Sequence, residues 1–193
     1  MISDLILSIF AFYFYLQHKD MSRKWSMFFL FMALSAATGG IYHGYPVIGE
    51  QLRFLSWSLF SASLIYAQLA AYQYVNSRTV KFVFIIKTIL LLFLSILNAS
   101  FIYIIIDTAI SMFGFIVIGN LLFLKSLSNY ITYGILISLT SAFIVIFRIS
   151  FHPQYLTCTD IGHYISILSI VFISKGIGED SLKNIVKAPT LNL

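Results

Sequence analysis

His43, Asp160 and His163 are three groups able to hold a metal ion or move a proton, in a chain otherwise built for lipid. Polar side chains withdrawn from water are expensive in a bilayer, so several at one depth mark a site by default. Asp160 and His163 lie three positions apart, which puts them on one helix face about one turn from each other. That spacing lets a carboxylate and an imidazole share one ion, or lets the carboxylate orient the imidazole from behind. His43 closes another hydrophobic segment, and His152, eight residues before Asp160, lies on a connecting loop from which it can reach the same place as a fourth group. Each also has an ordinary reading. His43 can be an interfacial histidine beside the Gly44, Tyr45, Pro46 turn. Asp160 can be a carboxylate at a helix N-terminus, with Thr157 or Thr159 as the cap. His163 points from inside its helix and is harder to explain that way.

The elements that must position these groups are membrane helices. Of 193 residues, 60% are hydrophobic and 10% charged, and the mean hydropathy of +0.93 excludes an ordinary soluble domain. Apolar runs against the ~20 residues needed to cross a bilayer predict seven spans. They run over Ile2 to Gln17, Trp25 to Gly44, Arg53 to Tyr74, Val80 to Asn98, Phe101 to Leu124, Tyr130 to Phe151 and Asp160 to Ser174. Asn98, Ala99 and Ser100 mark a tight hairpin between the fourth and fifth. The first run lacks a basic leader and a small-residue cleavage site, so it reads as a retained helix. The expected architecture is an all-α, seven-helix transmembrane bundle over residues 1–175, followed by a poorly ordered tail over residues 176–193.

Lys and Arg concentrate on alternate connections: Lys19, Arg23 and Lys24; Arg78 and Lys81; Lys125; and Lys175, Lys183 and Lys187. The positive-inside rule then predicts an outside N-terminus and a cytoplasmic C-terminus. His43, Asp160 and His163 thereby reach the same outer leaflet. The net charge of +5 is spread over these loops instead of forming a patch, so nucleic acid is not expected as a partner. Cys158 is the only cysteine and cannot form an internal disulfide, which argues against redox chemistry.

Asp107, about two turns into span five, needs a partner, and Lys87 or Arg148 can supply one. Ser35, Gly39 and His43 recur every fourth residue on one stripe of span two. Ala36 with Gly40 forms a small-residue pair that permits close approach, and Gly114 and Gly119 suggest packing too. Ser56, Ser58, Ser61 and Ser63 either bond back to their own helix or line a cavity. His18 is expected at the cytoplasmic headgroup level.

Two segments, SAATGGIYH from Ser35 to His43 and TDIGHYIS from Thr159 onward, resemble the alkaline-ceramidase and adiponectin-receptor superfamily of seven-helix membrane hydrolases, and more closely small bacterial membrane proteins related to that group. The resemblance implies a zinc ion held by three histidines, one from span two and two from the last span, with a serine and an aspartate assisting attack of water on an amide. It also implies a bacterial inner-membrane location. His43 matches the first histidine and His163 one of the last pair. The other histidine of that pair is replaced by Asp160, the serine position before His43 is Gly39, and span three has no aspartate. Either Asp160 or His152 completes the metal site and Ser35 or Asp107 takes the assisting role, or this chain has lost hydrolysis altogether.

The leading expectation is a zinc-dependent membrane hydrolase acting on a lipid-like amide or ester. Zinc on His43, His163 and Asp160 or His152 would lower the pKa of bound water to ~7, with Asp107 or the remaining group as general base. Membrane lipid is the expected partner. The rival is a non-enzymatic seven-helix sensor, ligand-binding protein or complex subunit. Haem ligation by His43 and His163 is a third reading, and the lack of an inverted repeat argues against a transporter.

Overall fold

The computed structural model describes residues 2–45, 49–73, 75, 77–124, 127–152 and 156–187. The described residues are all-helical, with seven helices in sequence order. They are α1 (Ile2–His18), α2 (Arg23–Gly44), α3 (Gly49–Ala71), α4 (Arg78–Leu97), α5, α6 (Asn129–Ile146) and α7 (Cys158–Lys187); α5 opens as Ile102–Thr108 and continues as π-helix through Ala109–Ile118 and Asn120–Leu124. Helices satisfy every backbone group within one segment, which is what a bilayer demands. Six of them are long and apolar enough to cross a membrane, as a multi-pass membrane protein requires, and α1 is a shorter apolar helix.

Helix ends follow local chemistry. Ser77 and Ser128 cap α4 and α6, their hydroxyls accepting from the amides of Val80 and Tyr130. The expected hairpin between spans four and five is present. Ala99 adopts φ 46°, and the Ser100 amide reaches back to the Ser95 carbonyl at 3.0 Å, closing a left-handed helix stop. Arg148, at φ 51°, stops α6 in the same way, with the Ile149 amide on the Ile144 carbonyl at 3.0 Å. Span six was expected to continue to Phe151, so this stop shortens it; arginine gives no compositional warning of a left-handed residue.

Helix α1 packs on α2 and α7, α2 on α3, α3 on α4 and α5, and α6 mainly on α7, with a smaller contact to the π-helical part of α5. The core between them is apolar, with Phe28, Phe29, Leu64, Ile131, Ile135 and Ile170 almost wholly buried. Helix α4 instead exposes Phe82, Ile86, Ile89, Leu90 and Phe93. In water this would be an untenable apolar surface; in hydrocarbon it is the natural coat.

Two findings depart from the expected tail and packing glycines. Helix α7 runs past Ser174 to Lys187, so the stretch from Gly176 to Lys187 is helix rather than loose tail. Its Glu179 and Asp180 hold the start of α6: the Ser128 hydroxyl donates to Glu179 at 2.8 Å and the Ser128 amide to Asp180 at 3.0 Å. Gly114 has nothing within 4 Å of where a Cβ would sit and is not a packing glycine, whereas Gly119 makes room for the Tyr72 hydroxyl, which donates to the Phe115 carbonyl at 2.7 Å. The close approach is between α6 and α7. A Cβ on Gly134 would lie 2.7 Å from the Ser169 carbonyl oxygen, and one on Gly176 2.8 Å from the Ile131 amide nitrogen. Backbone cannot yield as a flexible side chain does, so Gly134→Ala and Gly176→Ala each lower stability by about 1–3 kcal/mol. Thermal unfolding in detergent should show both melting below the parent, with Gly114→Ala unchanged.

Candidate functional site

The antiparallel order of α1 and α2, with α7 alongside α1, brings the start of α1, the end of α2 and the start of α7 to one end of the bundle. There a cavity of about 370 Å³ opens between α1, α2, α3, α5, α6 and α7. Its body is apolar, walled by residues such as Leu7, Phe28, Met32, Phe60 and Leu64. Asp4, His43, Arg53, Ser56 and His163 also line it.

The sequence-derived residues are only partly assembled. His43 and His163 line the same cavity. His43 is exposed, its ring tilted against Tyr42 at 5.0 Å, while His163 is mostly buried. His163 Nε2 faces the Asp4 carboxylate at 3.5 Å, and its Nδ1 lies 3.1 Å from the Ser3 hydroxyl. Ser3 in turn donates to Asp160 at 2.6 Å. Asp160 also closes the first turn of α7: it accepts from the Thr157 hydroxyl at 2.7 Å and the Thr157 amide at 3.1 Å, and the Thr157 hydroxyl accepts from the Asp160 amide at 3.3 Å. This is a capping box. The ordinary role foreseen for Asp160 is therefore present, and it reaches His163 only through Ser3.

Ser35 lines the cavity, but its hydroxyl donates to the Ser56 carbonyl at 2.9 Å while Ser56 donates back to the Ser35 carbonyl at 2.9 Å, so the pair clasps α2 to α3. Of the other span-three serines, Ser58 and Ser63 bond back to Phe54 and Phe60. His152 is exposed, forms a short backbone bridge with Leu156 and lies outside the cavity wall. Asp107 is fully buried on another face of α5, against α4, where Lys87, Thr88 and Ser111 donate to it. It has the ion-pair partner expected of it and does not line the cavity. Arg148 serves the helix stop instead. His18 is buried inside the bundle and does not reach outward: its Nε2 meets the Ser174 hydroxyl at 2.7 Å and its ring stacks on Phe29.

As the side chains stand, no three His, Cys, Asp or Glu among the described residues are grouped as a metal-holding set. Both ring nitrogens of His163 and both oxygens of Asp160 already face protein partners. This arrangement does not fit zinc without side-chain rearrangement.

Asp4 and Ser3 were missed from sequence, Ser56 was noted only among the serines of span three, and Arg53 only as the first residue of that span. Asp4 had a readable signal. It is a carboxylate in the first turn of an apolar helix, and the predicted topology puts that turn at the same face as His43 and His163. Its pairing with His163 had none, because the rotation of α1 against α7 is decided by their packing.

Comparison with known proteins adds a family but no activity. No curated protein and no solved structure matches the chain. Residues 1–181 match DUF6962, a family of unknown function, and the chain belongs to that family.

Proposed function

We propose that this member of the family is a multi-pass membrane protein that binds a lipid-like amphiphile in the cavity between its helices. The single observation carrying this reading is the make-up of the cavity. Its wall is mainly apolar, with the charged or titratable Asp4, His43, Arg53 and His163 and several hydroxyls set into it, and small-molecule sites combine an apolar lining with placed polar groups. Helix α6 packs mainly on α7 and meets α5 only along its π-helical part, and Phe101 and Ile105 at the start of α5 and Ala142 and Val145 of α6 line the cavity. A lipid would enter sideways between these helices. The Lys and Arg asymmetry supports an outside N-terminus, which would put the Asp4, His43 and His163 end in the outer leaflet.

Met32 and Leu90 provide the test. Met32 lines the cavity and Leu90 faces outward on α4. Met32→Trp crowds the cavity, and the cost of overpacking corresponds to about tenfold weaker binding or more. Leu90→Trp leaves affinity unchanged. The measurement is titration of the detergent-solubilised protein with a fluorescent long-chain amphiphile. Equal affinity in the parent and Met32→Trp would remove the cavity as the binding site.

The hydrolase reading keeps one observation in its favour: a carboxylate set against an imidazole in the wall of the same cavity. Asp4 would orient His163 through Nε2, and Nδ1, once released from Ser3, would take a proton from water as the water oxygen bonds to an ester or amide carbonyl carbon. The proton would then pass to the leaving oxygen or nitrogen as its bond to that carbon breaks.

A further inference from the structure

We propose that Arg53 reads the anionic head of the bound amphiphile and that the ligand class is a phospholipid, held by its phosphate. This rests on the cavity being the lipid site proposed above. Arg53 lies near the start of α3, and its guanidinium carbon stands 4.8 Å from the Phe54 ring centre and 5.3 Å from that of Trp57. The two rings limit the orientation of the guanidinium, and Arg53 lines the cavity. One donor, Nη2, meets Glu50 at 3.2 Å, but the Glu50 side chain is 81% exposed, and a pair so open to water contributes little. The Nε atom is buried without a hydrogen-bond partner among the described residues. A guanidinium offers five donors in a planar fork that matches the oxygens of a phosphate. A cationic head would be repelled here, and a neutral one would leave the fork largely unmatched.

The level in the bundle favours a membrane phospholipid over a soluble anion. Tyr45 and Glu50 are exposed just before Arg53, so the guanidinium sits where helix ends give way to polar surroundings. The cavity below it is apolar and suits an acyl chain. Ser56, one turn further along α3, has its hydroxyl 3.3 Å from where a Gly39 Cβ would stand, and the Asp4 carboxylate is 3.5 Å from the same point. A phosphate on Arg53 would therefore place the glycerol esters toward Asp4 and His163.

The experiment compares a lysophosphatidylglycerol with a monoacylglycerol of the same chain length, each titrated into the parent, Arg53→Gln and Arg53→Lys in detergent. The parent should prefer the phospholipid. Arg53→Gln should weaken phospholipid binding about ten- to hundredfold, the range for hydrogen bonds to charged groups, and leave the monoacylglycerol unchanged, which also shows that the variant is folded. Arg53→Lys should fall between, keeping charge without the fork. Phospholipid affinity unchanged in Arg53→Gln, or equal loss of both lipids in both variants, overturns the assignment. Inorganic phosphate that competes as well as the lysophospholipid would make this a free-anion site and overturn it too. Failure of the parent to bind either lipid refutes the cavity reading together with this one, whereas equal binding of both by the parent refutes only the role of Arg53.

Discussion

Lys87→Met destabilises the protein by about 3–5 kcal/mol, the usual cost of removing one partner of a buried ion pair. Asp107 has no exposed surface, and Lys87 is its charged partner. Thr88 and Ser111 donate to the same carboxylate oxygen at 3.3 and 3.1 Å, but two hydroxyls do not balance a full charge. The other oxygen has no hydrogen-bond partner among the described residues, so the carboxylate depends heavily on the lysine. Replacing both residues removes both charges at once. Lys87→Met with Asp107→Leu should therefore recover most of the loss, since apolar replacement of a buried pair is often neutral or stabilising. Unfolding in mixed micelles, followed by helical circular dichroism, would measure both. A single variant as stable as the parent would show that the carboxylate is not isolated as described.

The second large effect separates binding from turnover. His163→Ala removes the imidazole from between Asp4 and Ser3 and leaves the Asp4 carboxylate, only 3% exposed, without that partner. The binding reading expects amphiphile affinity to fall by about ten- to hundredfold, the scale on which buried polar groups lose a partner. Asp4→Asn alone should cost less, and the two changes together less than their sum, because residues in contact couple. The hydrolase reading expects a different split. Ester or amide turnover would fall by about 10²- to 10⁴-fold with affinity nearly kept, as for loss of a general base. Titrating both variants with a long-chain ester while following its cleavage, and determining the metal content of the parent, distinguishes the readings. Unchanged affinity with no turnover in any form would remove His163 from both.

Much of the architecture follows from features carried along single segments. Seven apolar runs, separated by short polar connections, foretell seven helices because hydrophobic length and helix rise are local quantities. The Asn98 to Ser100 turn and the Thr157 cap of Asp160 are likewise local, and both are present in the fold. That His43 and His163 reach one end follows from counting crossings. What the segments do not contain is rotation about each helix axis. Asp107 and Thr108 are neighbours in sequence, yet Thr108 lines the cavity and Asp107 turns to Lys87 on α4. Asp4 meets His163 only because α1 packs against α7, across nearly the whole chain. The left-handed Arg148 stop and the extension of α7 beyond Ser174 also went unread. The first shows no glycine, and the second is helix held where Gly176 lets α6 approach and Glu179 and Asp180 take the Ser128 donors. By itself the sequence determined which segments are helical and at which end the reactive groups gather. Only the tertiary structure decided which of them face one another, because side-chain packing between helices sets the rotation and apolar composition leaves it open.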